Sequence, residues 1–279
     1  MFKSTKVRSH VKMILATAAL SGAMSPVWAD QLADVKASGK MVCGVLGAFE
    51  PFGFTDISTR TLEGYDVDFC KAIAKHLGVQ AEVKAVSVEA RIPELQQGRM
   101  DLLAAGLGYS AKRAEQVDYT YGYYISDHKL TVKKARNFKT ATDLSGKRVS
   151  FTKGGITEGF VKKSVPGAEL VGYEDTPTAF TALVQNKVAA FSVPEVVAHR
   201  LINKLGPQSS QYELLEPAVG QEVWGLGVRK GETAMLDAVN GALKDMEASG
   251  EAQQIFDKWL GKDSAFNMKR AFTIKPITE

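Results

Sequence analysis

The sequence predicts an α/β fold divided into two lobes, with parallel strands connected by helices, and three patterns carry that prediction. The first is a repeated change of period. Val79, Ala81, Val83 and Ala85 alternate with polar residues, as a half-buried strand does, whereas Phe69, Ile73 and Leu77 recur at helical spacing. Gly64 and Gly78 punctuate that helix at its two ends. The second is an internal echo. Residues 92–102 read as helix, turn, basic residue and strand, and residues 180–190 repeat them, with Leu95 matching Leu183, Gly98 matching Asn186 and Arg99 matching Lys187. Gly and Asn most easily take the left-handed conformation that ends a helix, so the two segments read as one unit used twice. The third is the order of elements after the echo: a helix pattern at 196–205, strand signals at 212–215 and 224–228, then helix patterns at 234–248 and 251–260. A second lobe, residues 126–221, inserted into a first lobe made of residues 30–125 and 222–279 accounts for this order. The chain then crosses between lobes near Ser126 and Gln221, and two crossing strands make a hinge suited to closure on a ligand.

Ahead of the lobes, Lys3, Lys6, Arg8 and Lys12 precede a mostly apolar run at 13–24, and Val27 and Ala29 supply the small side chains a signal peptidase reads. Residues 1–29 are therefore expected to be a secretory signal peptide, cleaved after Ala29. The run is too short to span a bilayer, and no later segment approaches the ~20 apolar residues a membrane helix needs. The leader holds four of the 35 Lys and Arg and none of the 31 Asp and Glu, so the rest of the chain balances at 31 of each sign. Charge thus argues for neither nucleic acid nor an anionic membrane surface as partner.

The two cysteines, Cys43 in an apolar strand pattern and Cys70 on the helix after it, leave two readings open: a bridge between first strand and first helix, or two buried thiols. His76, His128 and His199 are scattered and no CxxC occurs, so neither a metal nor any other cofactor is expected.

The candidate binding residues come from two glycine turns. Gly106, Leu107 and Gly108 leave an apolar strand pattern and enter a short helix that Ser110 can cap. Backbone N–H groups at such a start favour an anion, and Arg113 one turn on can add a fork suited to a carboxylate; its bland alternative is a surface pair with Glu115 or Asp118. In the other lobe, Gly154, Gly155, Ile156 and Thr157 offer backbone that a ligand can approach closely. Phe49 is either an aromatic wall of the cleft or a plain core residue. Arg91, if it faces the cleft, can pair with a second acidic group on the ligand; otherwise it pairs with Glu89 or Glu94 on the surface.

The run Gly64, Tyr65, Asp66, Val67, Asp68, Phe69, Cys70, with Phe49 to Phe52, Arg91 to Pro93, Gly106 to Arg113, Leu144 to Lys147, Lys153 to Gly155 and Trp259, resembles the periplasmic substrate-binding proteins for polar amino acids that serve ABC importers, solute-binding protein family 3. The resemblance spans nearly the whole chain after the leader. Arg91, Ile92 and Pro93 look most like the glutamate and aspartate branch, while Cys43, Gly44 and Val45 look like the general L-amino-acid branch. It implies a type II periplasmic binding fold, two Rossmann-like lobes on a two-strand hinge, a periplasmic monomer, an amino acid or related carboxylate as ligand, and a membrane permease as partner. Two departures bear on specificity. Gly108 stands where many relatives place a ligand-bonding Thr, and Pro194 stands where they commonly place an Asp for the ligand ammonium; either Glu195 substitutes for that Asp or the ligand lacks an α-ammonium. The competing reading is a periplasmic enzyme resembling cyclohexadienyl dehydratases, whose Gly-Gly-Thr-Asn-Glu run is partly matched by Gly154, Gly155, Ile156, Thr157 and Glu158; it requires Glu158 to face the ligand.

Overall fold

The computed structural model describes residues 1–2 and 30–278, so the expected leader falls, but for its first two residues, outside the described part. In chain order the elements are α1 (Gln31–Ser38), β1 (Lys40–Leu46), β2 (Ala48–Phe49), β3 (Gly53–Thr55), β4 (Leu62–Glu63), α2 (Tyr65–His76), β5 (Gln80–Val86), α3 (Arg91–Gln96), β6 (Leu102–Leu103), α4 (Ala111–Ala114) and β7 (Val117–Lys133). There follow β8 (Arg148–Thr152), α5 (Thr157–Ser164), β9 (Glu169–Tyr173), α6 (Thr176–Val184), β10 (Ala190–Pro194), α7 (Glu195–Asn203), β11 (Tyr212–Arg229), α8 (Thr233–Ser249) and α9 (Glu251–Trp259). Among the described residues no helix is long and apolar enough to cross a membrane.

Eight strands form one sheet in the order β5-β1-β6-β11-β7-β10-β8-β9. Its two halves repeat one plan, β5-β1-β6 ending on β11 and β9-β8-β10 ending on β7. Within each half the first three strands are parallel or joined through a parallel neighbour, and the long strand closes antiparallel. The sequence echo sits at matching places in this plan. Gly98 has φ +70° and Asn186 φ +59°, and their N–H groups donate to Leu95 O at 3.0 Å and Leu183 O at 3.1 Å, so both helices end in the same left-handed turn before β6 and β10.

The two long strands, 17 residues in β7 and 18 in β11, run antiparallel through both halves. Near their middle Ser126 faces Glu222 and Asp127 faces Gln221. The two strand signals expected at 212–215 and 224–228 are parts of this one strand, with a register shift between Leu215 and Gly220. Pro217, which has no N–H to give to a ladder, breaks the alternation that sequence reading depends on.

Helix α2 forms where Gly64 opens it, Asp66 and Asp68 sit in its first turn, and Lys75 and His76 in its last, in keeping with the helix dipole. It buries Val67, Phe69, Cys70 and Ile73 completely. Cys70 bridges to Cys43 of β1, which settles the two readings of the cysteine pair in favour of the disulfide. Closing a loop of sequence separation 27 restricts the unfolded chain by about 3.5 kcal/mol in the chain-entropy picture. The double variant Cys43→Ala/Cys70→Ala should lose that much in urea unfolding; a loss below about 1 kcal/mol would mean that the bridge does not constrain the unfolded ensemble.

Candidate ligand-binding site

A cavity lies where the two halves face each other. Leu46, Phe49, Val88, Arg91, Gly106, Glu222 and Trp224 line it from one side, and Thr152, Gly155, Ile156, Thr157, Thr176, Ser192, Val193 and Pro194 from the other, with His128 of β7 between. Six expected site residues thus meet here: Phe49, Arg91, Gly106, Gly155, Ile156 and Thr157. Gly108, Arg113 and Glu195 are not among the lining residues.

Phe49 is buried and serves as wall and core together, its ring 6.0 Å from Trp224 and 5.7 Å from Phe52. The turn after β6 departs from expectation. Ser110 caps α4, its Oγ accepting the Arg113 N–H at 3.3 Å, and two N–H groups of the turn before it are engaged within the protein. Gly106 N–H donates to Asp66 Oδ2 at 3.0 Å and Tyr109 N–H to Val223 O at 2.9 Å. The reason is α2, whose first turn brings a buried carboxylate under the turn, something local pattern does not reveal. Arg113 pairs with neither Glu115 nor Asp118. Its Nη1 donates to Gly108 O at 2.9 Å and its Nη2 to Gly154 O, in the other half, at 2.8 Å.

Arg91 is 3 % exposed and follows neither sequence reading fully. It points inward, yet Nη1 donates to Ala105 O at 2.6 Å and Gly106 O at 3.0 Å, and Nη2 to Gly154 O at 3.2 Å. Only Nε is left buried without a partner. Burial first, then the neighbouring Arg113 charge, pushes the Arg91 guanidinium down to about 10, so it remains a cation at neutral pH. Gly154 O therefore collects both arginines and ties the halves together, as do Arg200 Nε and Glu50 Oε1 at 2.6 Å with Lys204 beside them.

Glu195 opens α7 and lies 3.5 Å from His199 Nε2, partly exposed and not among the residues that line the cavity. Glu158 likewise is on the surface, paired at 2.5 Å with Lys162 one turn on, so no acid–base residue reaches the cavity from α5.

Sequence reading passed over a buried ionisable pair of the cavity. His128 on β7 and Glu222 on β11 have side chains only 3 % and 4 % exposed. His128 Nε2 lies 2.7 Å from Glu222 Oε1 and Nδ1 lies 3.1 Å from Thr157 Oγ1. Trp224 Nε1 donates to the same Oε1 at 2.7 Å. Burial pushes the Glu222 carboxyl up, but the His128 charge and hydrogen bond, the Trp224 N–H and Arg113 together hold it below the usual carboxylate range. The available signal was only their place close to the expected crossings, since polar neighbours (Ser126, Asp127 and Lys129 around His128, Gln221 before Glu222) hide them in the local pattern.

Asp66 supports the site from beneath. Burial pushes its carboxyl up to about 7, against the hydrogen bonds from Tyr123 Oη at 2.7 Å and Gly106 N–H, which pull it down. A value raised on folding means tighter proton binding in the folded state, so this contribution to stability is whole below about pH 4 and is lost as pH rises through 7. Melting temperature should fall from pH 5 to pH 8 in the wild type and fall less in Asp66→Asn. Parallel profiles would show that Asp66 is not responsible.

A two-lobed α/β molecule with a largely apolar cavity that carries a few buried polar groups between its halves is built as a protein that holds a small solute. Over residues 41–262 the chain matches the bacterial extracellular solute-binding proteins, family 3, and it belongs to that family. It is 30 % identical over 260 residues to the L-cystine-binding protein of Escherichia coli K12, covering 92 % of this chain and 96 % of that one. It is 30 % identical over 240 residues to the ABC transporter glutamine-binding protein of Bacillus subtilis 168, covering 85 % and 86 %. An ancestral arginine-binding protein solved with arginine superposes with TM-score 0.74 at 33 % identity, over 80 % of this chain and 99 % of that one. By its family and its relatives the chain is a solute-binding protein rather than an enzyme.

Proposed function

We propose that the protein captures an amino acid or closely related small carboxylate between its lobes, in the periplasm, and delivers it as a monomer to the membrane permease of an ABC importer. The observation that carries this reading is Arg91, a buried cation that staples carbonyls of both halves and keeps one N–H, Nε, without an acceptor in a residue lining the cavity. A carboxylate is the natural complement of that group, and a ligand held from both sides favours the closed arrangement. Support for an amino acid comes from relatives named for L-cystine, glutamine and arginine. We place the lobes at residues 30–125 with 222–279 and at 126–221, with the hinge at the paired Ser126–Glu222 and Asp127–Gln221 positions. The ligand residues in this reading are Phe49, Arg91, Gly155, Ile156 and Thr157, with Arg113 acting through Gly154 and the turn at Gly106 and Gly108 as their support. Export follows from the leader at 1–29.

The test is thermal unfolding of the chain from Asp30 onward against the standard amino acids and L-cystine. A ligand at a hundred times its dissociation constant adds ~2.7 kcal/mol, or about 5 to 10 °C for a chain of this size. X-ray scattering with the best ligand should show a smaller radius of gyration than without it. No shift with any amino acid would overturn the reading.

A further inference from the structure

The way out of the cavity can be followed through the residues that neighbouring spaces share. Leu46, Phe49, Val88 and Thr176 line both the cavity and a wider space of about 290 Å³ beyond it. Gly47, Ala48 and Thr176 then line both that space and an outer crevice of about 150 Å³. Three charged side chains stand at this crevice, Glu50 from one half and Arg200 and Lys204 from the other. The passage therefore ends on opposite charges carried by facing halves.

Each oxygen of the Glu50 carboxylate has its own cation. Arg200 Nε donates to Oε1 at 2.6 Å with Nη2 on the same oxygen, and Lys204 Nζ donates to Oε2. Glu50 follows β2, whereas Arg200 lies on α7 and Lys204 at its end, where a spacing of four puts both cations on one face. Burial pushes the Glu50 carboxyl up, but the hydrogen bonds and charges of Arg200 and Lys204 outweigh it and hold it below the usual carboxylate range. None of the three side chains lines the cavity, so this tie needs nothing bound there in order to form. It also differs in kind from the tie at Gly154 O, where buried Arg91 meets a neutral acceptor. Here charge faces charge, and the Arg200 and Lys204 side chains are 37 % and 51 % exposed, so dissolved ions reach them.

We infer that Glu50, Arg200 and Lys204 form an ionic latch that holds the mouth of the cavity shut in the free protein, so that ionic strength sets how often the cavity opens. This goes beyond the reading above and takes from it only the two lobes. An exposed pair contributes little by itself, but two pairs on one carboxylate act on one equilibrium, the opening of the lobes, and their factors multiply. Salt weakens them first, because the reach of an exposed charge shrinks from about 30 Å at 0.01 M to about 3 Å at 1 M. The Arg91 tie, buried and made to carbonyls, is screened much less. The latch is therefore the salt-dependent part of closure.

Acrylamide quenching of Trp224 fluorescence tests the latch, since that ring lines the cavity and is fully buried. In the chain from Asp30 onward carrying Trp259→Phe, Trp224 is the single tryptophan, and its quenching reports how often the cavity admits a small neutral solute. Between about 20 mM and about 500 mM sodium chloride the quenching constant of this parent should rise about two- to tenfold. Glu50→Gln should start near the high-salt value and change with salt by less than about 1.5-fold. Glu158→Gln, which breaks a pair with Lys162 inside one half, should follow the parent. Melting curves confirm that each variant is folded, and the salt titration of the parent stands without them. A parent constant that does not rise with salt would overturn the latch. So would a folded Glu50→Gln protein that responds to salt as the parent does, or a Glu158→Gln protein that behaves like Glu50→Gln. No amino acid is present in any arm, so failure of the latch leaves the ligand reading standing, and failure to find a ligand leaves the latch standing.

Discussion

Arg91→Met should raise the dissociation constant of the bound amino acid by at least a hundredfold. Methionine keeps much of the apolar stem but none of the donors, so Ala105 O, Gly106 O and Gly154 O lose their partner together. Two of these carbonyls belong to one lobe and the third to the other, so the variant loses a tie between lobes as well as the charge facing the ligand. Truncating one side of a buried charged contact costs about 2 to 5 kcal/mol, or about thirtyfold to several thousandfold in affinity. Because three of the bonds are spent on the backbone and only Nε is free, losses for L-glutamine and L-glutamate should be alike, and titration calorimetry with both measures this. A loss confined to the dicarboxylic ligand would restore the reading in which Arg91 holds a second acidic group. Affinity within threefold of wild type for both would remove Arg91 from the site altogether.

Gly64→Ala should destabilise the fold by about 3 to 5 kcal/mol. Gly64 has φ +135°, which side-chain-bearing residues rarely adopt, and a Cβ there would sit 2.2 Å from Phe52 O and 2.5 Å from its carbon. That carbonyl cannot retreat cheaply, since it accepts the Asp66 N–H at 2.8 Å while Pro51 O accepts the Tyr65 N–H at 3.0 Å. The loss reaches the site through Asp66, whose carboxylate holds the Gly106 turn. For a chain of this size it corresponds to a fall of about 6 to 20 °C in melting temperature. Gly241→Ala is the control: it lies within α8 with nothing within 4 Å of the added Cβ, and should stabilise by roughly 0.5 to 1 kcal/mol. A Gly64→Ala melting temperature within about 2 °C of wild type would show that the α2 entry relaxes at little cost.

The sequence by itself determined the α/β class, the two-lobed plan, the family and most of the helices, because each rests on local periods and turn chemistry. Gly98 and Asn186 announced two equal helix ends, and the run from Gly64 to Cys70 announced the helix beneath the site. It also brought six of the nine site residues to the cavity, since glycine turns that follow strands in this fold class point into the space between lobes. What only the tertiary structure decided is how the polar groups of the cavity are paired. Arg91 and Arg113 meet on Gly154 O across sequence separations of 63 and 41, and Asp66 claims the Gly106 N–H from another element. Glu222 enters the cavity because β11 pairs with β7 and sets it beside His128, and because Gly108 leaves space for its carboxylate. The physical reason is range: propensity and period act over a few residues, whereas the satisfaction of a buried charge is settled by whichever group the folded chain brings within about 3 Å.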